Sequence, residues 1–293
     1  IHVTFNITPS LIRQLDDLSS GARDLYWSLG EIDAADLSEA QQRFILERFF
    51  DTNPGVIARF PRYQQLADLR GGSSAEQIET ALATWSPQDF RDLQVLFNLA
   101  WTDPDWLAQE PLASLVVRGR DYPEADKPVL FAEHLRIVRE VIPTLAQLQE
   151  QGQIELTTTP FAHPILPLLV DSDLARIAMP DAELPPRFVY GQDAVAQVER
   201  GVQMYQDHFD ASPRGMWPAE GSVAPIIISM IANAGIEWMA SDEEVLARSL
   251  PTLDEFTRDS DDTVLQADAL YRPYTVSGAR GRVAMVFRDH LIS

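Results

Sequence analysis

The strongest constraint on the fold is the alternation of strand-like and helix-like segments that begins after Gly152. A short run typical of a strand is followed each time by apolar residues at helical spacing, and short turns separate the segments. Strands connected through helices in this way run parallel, with the helices packed outside the sheet. We therefore predict an α/β fold in the order strand 153–159, helix 195–209, strand 214–217, helix 223–234 and strand 236–241.

The first half of the chain predicts helices instead. It opens with a strand-like run at 1–7 and then shows repeated helical signals. Ser38 and Gln41, for example, have the spacing of a capping box at a helix start. We expect a large, mainly helical insertion at 20–151 after the first strand.

We assign the rest of the chain, 152–293, to βα units, and the whole of 1–293 to one domain. Within these units, 251–281 is rich in Asp, Thr, Pro and Gly, which predicts loops. The run at 282–293 is again strand-like. Both two domains and a single α/β barrel are ordinary for 293 residues.

Charge limits the classes of ligand. Arg and Lys number 23 against 44 Asp and Glu, which gives a net charge of −21. A field of that sign repels phosphate backbones, so we expect no nucleic-acid partner and favour a neutral or cationic ligand. The longest apolar stretch, 223–236, is shorter than the roughly 20 residues of a membrane span. We expect a buried helix there and no membrane partner.

The chain lacks the residues that several classes of catalysis require. The chain has no Cys and a single Lys, Lys127, so thiolate chemistry and most lysine chemistry are excluded. Dinucleotide, P-loop, zincin and α/β-hydrolase motifs do not occur. The five histidines are scattered singly, so we expect no metal site, although ligands from distant strands stay open.

The unusual residues gather at predicted strand ends, where parallel α/β barrels carry their active sites. After the strand at 153–159, prolines surround His163, which suits a rigid loop that holds the imidazole over a pocket. The alternative is a histidine satisfied by backbone groups. After 214–217, Trp217 precedes Pro218 and Glu220, so a carboxylate and an aromatic face meet beside one cavity. Glu220 can alternatively complement a helix N-terminus.

The third strand end carries acidic residues. Asp242 follows the strand at 236–241 and lies about one βα unit after Glu220, so neighbouring strands bring the two together. Asp242 is equally well explained as a helix-start residue, and this explanation is preferred for Glu243 and Glu244. Two facing carboxylates, an aromatic platform and an acidic pocket suggest sugar chemistry, since retaining glycosidases use a carboxylate nucleophile and a second carboxyl as acid.

Several segments resemble glycoside hydrolase family 57, in particular its amylopullulanase-like and α-amylase-like members. Three further stretches, at the start of the chain, at 60–71 and at 92–104, are similar to the same members. Separate motifs in the right order are far more specific than any one of them, and the resemblance covers nearly the whole chain. The main motifs are GQIELTTTPFAHPILPLL at 152–169, GMWPAEGSVAP at 215–225, IEWMASDEEVL at 236–246 and LYRPY…VFRDHLIS at 270–293.

The resemblance implies an α/β fold of the incomplete (β/α)7 barrel type and cleavage or transfer of α-glucan chains with retention of configuration. By its place in the WPAE-type motif, Glu220 is implied as the nucleophile. His163 is implied to contact the sugar next to the cleavage point, and Trp217 matches the aromatic of the motif. Asp242 and Arg288 are implied as substrate-binding residues at strand ends that face the cleft. No metal or organic cofactor is implied.

The sequence departs from the family pattern at two places. The His-Gln-Pro motif of the first strand and the Asp-Gly-Glu-Asn-like motif that carries the acid/base aspartate do not occur. We therefore expect a barrel truncated at both ends, an acid/base beyond Ser293, and no activity from the 293 residues alone.

Three hypotheses follow. The first is a retaining α-glucan hydrolase or glucanotransferase that acts on an α-glucan or maltooligosaccharide through Glu220. The second is a catalytically inactive, carbohydrate-binding homologue. The third is an enzyme that uses Asp242 as its acid/base. We expect a cytoplasmic location, and the sequence leaves the oligomeric state open.

Overall fold

The computed structural model describes residues 2–291 and contains two compact units. One unit combines the segment up to Asp16 with the segment from Val141 onward, and the other is Asp17–Glu140. The first unit carries the strands and is mixed α/β, whereas the second is helical. Among the described residues, no helix has both the length and the apolar character that a membrane crossing requires.

The strands and helices have the following bounds. The strands are β1 (Val3–Asn6), β2 (Ile154–Thr157), β3 (Gly215–Met216), β4 (Trp238–Asp242), β5 (Tyr274–Ser277) and β6 (Arg282–Arg288). The helices of the first half are α1 (Pro9–Ser19), α2 (Leu25–Glu31), α3 (Glu39–Arg48), α4 (Pro54–Ile57), α5 (Pro61–Arg70), α6 (Ala75–Thr84), α7 (Pro87–Ala100), α8 (Pro104–Leu107), α9 (Leu112–Arg118) and α10 (Asp126–Glu150). The later helices are α11 (Leu166–Val170), α12 (Ala175–Ala178), α13 (Gly191–Phe209), α14 (Pro225–Asn233), α15 (Glu243–Ser249) and α16 (Ala267–Leu270), with 3₁₀ turns at Ser172–Leu174 and Ala219–Gly221.

The predicted parallel pairing is confirmed. β1 pairs with β2, β3 with β4, and β4 with β6, all in parallel. A single parallel bridge between Thr158 and Met216 connects the end of β2 to β3. The carboxyl ends of β2, β3, β4 and β6 therefore lie along one edge of the strand array, which is the edge that the sequence predicts for a site.

One prediction is wrong. The segment 251–281 is not only loops, because it contains α16 and the strand β5, which pairs antiparallel with β6. Pro273 precedes this strand and Gly278 follows it. Because the strand has only four residues, the turn-forming residues around it dominate the composition of 251–281 and hide the strand. The Tyr274 ring packs edge-on against Phe287, and this contact between distant residues helps to fix the strand.

The core of the α/β unit shows why these strands align. Met216, Met239 and Met285 occupy matching positions on β3, β4 and β6 and are buried in one row. On α14, Ile227 and Ile231 belong to the same apolar cluster. Because successive strand residues point to opposite faces, a shift by one residue would expose the whole row and is disfavoured.

The helical unit follows its sequence signals. Ser38 and Gln41 form the expected capping box at the start of α3. A separate apolar core is built from residues between Leu29 and Leu130. Within it, the guanidinium of Arg62 donates a hydrogen bond to the fully buried carboxylate of Asp92 at 2.8 Å, so this buried charge is paired.

Helix α13 positions the loop that follows β2. Gly201 leaves no room for a side chain, because a Cβ there would lie 2.5 Å from the carbonyl oxygen of Thr159. One turn earlier, Gln197 accepts hydrogen bonds from the amides of Phe161, through its carbonyl, and of Ala162, through its side chain. These contacts hold the backbone at Phe161 and Ala162, directly before His163.

We predict that Gly201→Ala lowers the free energy of unfolding by roughly 1–3 kcal/mol, because the added methyl group must displace the backbone at Thr159. Gly191→Ala, in the same helix but with open space around the Cβ, serves as the matched control. It should leave stability unchanged or raise it by up to about 1 kcal/mol. Urea unfolding measures both changes, and equal effects would mean that α13 does not hold the loop.

Candidate active site

The site lies where the parallel strands of the α/β unit end. β4 ends at Asp242, which stands opposite Arg288, the last residue of β6. Trp217 directly follows β3, and its amide donates to the carbonyl oxygen of Thr158 beyond the end of β2. Three strand ends thus contribute side chains to the same edge, as the topology requires.

Glu220 lies in a sharp turn after β3. Its backbone is left-handed, with φ 57° and ψ 22°, and Gly221 follows with φ 64°. The hydroxyl of Ser241, at the end of β4, donates to the carbonyl oxygen of Gly221 at 2.7 Å. The turn is thereby tied to the neighbouring strand, while the Glu220 side chain remains 73% exposed.

His163 faces this carboxylate. Its Nε2 lies 3.5 Å from Oε1 of Glu220, and the imidazole is about one third exposed. Its Nδ1 is buried and has no hydrogen-bond partner among the residues that the structure describes. The alternative, an imidazole whose nitrogens form hydrogen bonds with backbone groups, is therefore not observed. The polar contact of this side chain is the one between its Nε2 and the Glu220 carboxylate.

Both members of this pair have a left-handed backbone, which is uncommon away from glycine. Asp and His adopt it several times more often than most residues, but Glu has no short side chain to compensate for it. Such conformations cost of order 1–3 kcal/mol and cluster at functional sites. The non-glycine residues with left-handed φ in the described chain are Asp121, His163, Asp210, Glu220 and Asp262.

Trp217 lies beside the turn and is half-buried. A Cβ added at Gly221 would be 3.6 Å from its indole ring, so the ring runs along the Gly221 backbone. The guanidinium carbon of Arg288 lies 5.7 Å from the centre of the ring. The indole thus connects the Glu220 turn with the end of β6, while part of its surface stays accessible.

Asp242 is engaged on several sides. It caps α15 by accepting from the Glu244 amide, and its Oδ2 accepts from Nε of Arg288 at 2.9 Å. His290 lies 3.5 Å from the same oxygen. Partial burial by itself raises the pKa of Asp242, but these hydrogen bonds outweigh burial and hold the pKa below its ordinary value. Asp242 is therefore both the helix cap and a partner of Arg288.

The sequence did not indicate a neighbouring ionic cluster. Glu243 lies in the first turn of α15, as predicted, and it is buried and accepts from Arg258. Arg258 also donates to the buried Asp289 at 2.7 Å, and the Tyr271 hydroxyl donates to the same carboxylate. The hydrogen bond from Tyr271 is the largest influence that lowers the pKa of Asp289, which falls to about 2. Arg258 comes from a loop, so no local pattern marks the cluster.

Comparison with known proteins identifies the family. The profile of glycosyl hydrolase family 57 matches residues 39–293, most of the chain. The chain belongs to glycosyl hydrolase family 57. The expected resemblance is therefore confirmed. In the part of the chain that the structure describes, no group of three or more His, Asp or Glu is arranged to hold a metal ion.

Two curated relatives match parts of the chain. Alpha-amylase 1 of Dictyoglomus thermophilum is 31% identical over 104 residues, which are 36% of this chain and 12% of that protein. A 1,4-alpha-glucan branching enzyme of Thermococcus kodakarensis is 30% identical over 86 residues, which are 29% of this chain and 10% of that protein. The matches thus span about a tenth of each relative.

Solved structures were also compared. A family 57 branching enzyme from Thermococcus kodakaraensis aligns with 99% of this chain and 48% of its own, with 17% identity and a TM-score of 0.40. The alpha-amylase AmyC from Thermotoga maritima aligns with 98% of this chain and 45% of its own, with 15% identity and a TM-score of 0.38.

The strained turn gives a stability prediction. Glu220→Gly should raise the free energy of unfolding by about 0.5–1 kcal/mol, because the relief of left-handed strain exceeds the added freedom of the unfolded chain. Asp210→Gly is the control, since Asp210 is left-handed at the C-terminus of α13 and Asp tolerates that conformation better. Its gain should be smaller. Calorimetry compares them, and a less stable Glu220→Gly would show that the contact with His163 outweighs the strain.

Proposed function

We propose that this chain carries the nucleophile of a retaining enzyme that hydrolyses or transfers α-glucan chains, and that Glu220 is this nucleophile. The observation that carries the proposal is the exposed Glu220 carboxylate at the carboxyl edge of the parallel strands, 3.5 Å from His163. Membership of glycosyl hydrolase family 57 supports the substrate class, as do relatives named as an α-amylase and a branching enzyme.

In the proposed reaction, an oxygen of Glu220 attacks C1 of the sugar at the cleavage point. The bond from C1 to Oε forms while the bond to the leaving oxygen breaks, and the leaving oxygen takes a proton from a general acid. Attack by water on the resulting glycosyl ester completes hydrolysis, whereas attack by a sugar hydroxyl completes transfer. Either way, two inversions at C1 retain the configuration.

The neighbours of Glu220 have distinct proposed roles. His163 orients the carboxylate through Nε2, so that one oxygen is held and the other is free to attack. The accessible surface of Trp217 stacks on a sugar ring through the apolar C–H face of that sugar. Arg288, next to this indole, contributes a hydrogen-bond donor for sugar hydroxyls.

Asp242 fits substrate binding better than acid catalysis. A general acid must carry a proton at the working pH, and the pKa of Asp242 is held below its ordinary value. Its carboxylate also accepts from Arg288 and from the start of α15. We propose that Asp242 fixes the direction of Arg288 toward the substrate and that a different residue supplies the proton.

The barrel is also part of the proposal. Four strands follow one another in parallel from β2 to β6 by way of β3 and β4, with β1 on the other side of β2. We propose that they form part of the incomplete (β/α)7 barrel that the family resemblance implies. The antiparallel strand β5 lies at the edge of this array and is an addition to the βα pattern.

A glucan-binding protein without turnover is the second candidate. The pairing of Asp242 with Arg288 favours it, because this pairing removes the nearest candidate acid that the sequence offered. The two candidates differ in one chemical property. Only the enzyme has a carboxylate that forms a covalent bond to C1.

We predict that 5-fluoro-α-glucosyl fluoride labels Glu220. Fluoride leaves C1 with the bonding electrons and needs no proton, so labelling does not depend on the acid residue. The ring fluorine slows the second step, and the glycosyl ester therefore accumulates. Mass spectrometry of proteolytic peptides should find the added mass on the peptide that contains Glu220.

Two variants complete this experiment. Glu220→Gln should abolish labelling, because an amide cannot form the ester. Glu244→Gln removes an exposed carboxylate in the first turn of α15, after the neighbouring strand, and this variant should be labelled like the wild type. Labelling of a different residue would remove Glu220 from the role, and saturable glucan binding without any labelling would favour the binding protein.

A further inference from the structure

The helical unit contains a cavity of about 620 Å³, built entirely from residues between Asp24 and Ile137. Its size is typical of small-molecule sites. The rings of Trp27, Trp101 and Trp106 line it, and Trp101 is 65% exposed. Single exposed apolar residues are ordinary on a protein surface, but three indole rings around one opening form a contiguous apolar patch of the kind that marks a binding site.

Hydrogen-bonding groups are interspersed with these rings. Asp24 and Asp103 cap α2 and α8 with one oxygen each and border the same cavity. Asn98 uses its amide nitrogen to donate to the carbonyl oxygen of Gln94, which leaves the amide oxygen to accept. The cavity therefore offers aromatic faces together with acceptors for hydroxyl groups.

Charge disfavours an anion at this cavity, and guanidinium groups already lie against two of its three indole rings. Asp24, Asp51 and Asp103 border the cavity, and the chain carries a net charge of −21, so an anion is repelled. The guanidinium carbon of Arg23 lies 4.5 Å from the Trp27 ring centre, and that of Arg136 lies 4.7 Å from the Trp106 ring centre. A cation would have to displace a guanidinium group from either of these two rings, whereas a neutral sugar can stack on the face of Trp101.

His134 does not add a positive charge at neutral pH. Burial lowers its pKa to about 4, and its Nε2 lies 2.9 Å from the hydroxyl oxygen of Thr102. The imidazole is thus a neutral part of the wall. A neutral ligand with an apolar face and several hydroxyl groups can stack on the indole rings and donate hydrogen bonds to the Asp carboxylates and to the Asn98 amide oxygen.

We propose that this cavity is a binding site for a neutral saccharide, with the C–H faces of the sugar on Trp101 and its hydroxyl groups donating to Asp24, Asp103 and Asn98. The argument uses no property of Glu220, which belongs to the other unit. The cavity would bind a segment of a glucan chain without cleaving it. The proposal therefore goes beyond the catalytic role and does not depend on it.

Fluorine NMR with 5-fluorotryptophan tests this site directly, because the six tryptophans report on different places. Trp27, Trp101 and Trp106 report on the cavity, Trp217 reports on the Glu220 turn, and the buried Trp85 reports on the fold. Single Trp→Phe variants assign the signals. With maltoheptaose, the three cavity signals should shift along one saturable curve while the Trp85 signal stays in place.

Variants then locate the contact. Trp101→Ala should weaken maltoheptaose binding at the remaining cavity signals by about 5- to 150-fold, as expected for loss of one stacking ring. Leu69→Ala, a similarly exposed apolar residue of the same unit outside the cavity, should not change it. Trp101 is exposed, so its truncation leaves the core intact, and the Trp85 signal verifies this.

Two outcomes overturn the proposal. One is that maltoheptaose leaves the three cavity signals unmoved, whether or not the Trp217 signal shifts. The other is that tetramethylammonium or inorganic phosphate shifts the cavity signals more strongly than maltoheptaose does. If the cavity signals shift with maltoheptaose and Glu220 is not labelled by the glucosyl fluoride, this site stands and the catalytic proposal fails.

Discussion

Two successive left-handed residues, Glu220 and Gly221, decide how the candidate site is built. A chain that leaves β3 and begins α14 without this turn would direct residue 220 elsewhere. The hydroxyl of Ser241 holds the turn against β4 by donating to the Gly221 carbonyl. Glycine accepts this conformation freely, but Glu220 does so at a cost in free energy. The core of the α/β unit must supply that free energy.

The opposite wall depends on a second close approach. Helix α13 reaches the backbone after β2 because Gly201 has no side chain, and the loop then turns at His163, which is also left-handed. His163 and Glu220 thus both have a left-handed backbone, and Nε2 of His163 lies 3.5 Å from Oε1 of Glu220. Backbone strain at two residues whose polar side chains contact each other is characteristic of a site where geometry is selected over stability. The row of buried methionines on β3, β4 and β6 belongs to the apolar core beneath this edge.

The sequence predicts the parallel strands and the edge that carries the site, because apolar spacing and strand-to-helix order are local signals. It does not predict the contact between His163 and Glu220, since the two residues are far apart in the chain and their meeting depends on left-handed turns. It also misses β5, whose four residues are hidden among turn formers. The first-turn position of Glu243 is confirmed, but the sequence does not predict that this side chain is buried. The charge that makes its burial possible comes from Arg258, in a loop that the sequence does not place.

The central claim is that Glu220 stands on the side of the sugar ring from which C1 is attacked. The most direct measurement is the anomeric configuration of the product that Glu220→Gly forms from α-glucosyl fluoride and azide. If Glu220 is the nucleophile, azide takes its place and displaces fluoride in one step, so the product is the β-glucosyl azide. An α-glucosyl azide would show that another residue still forms the glycosyl ester, and it would contradict this account.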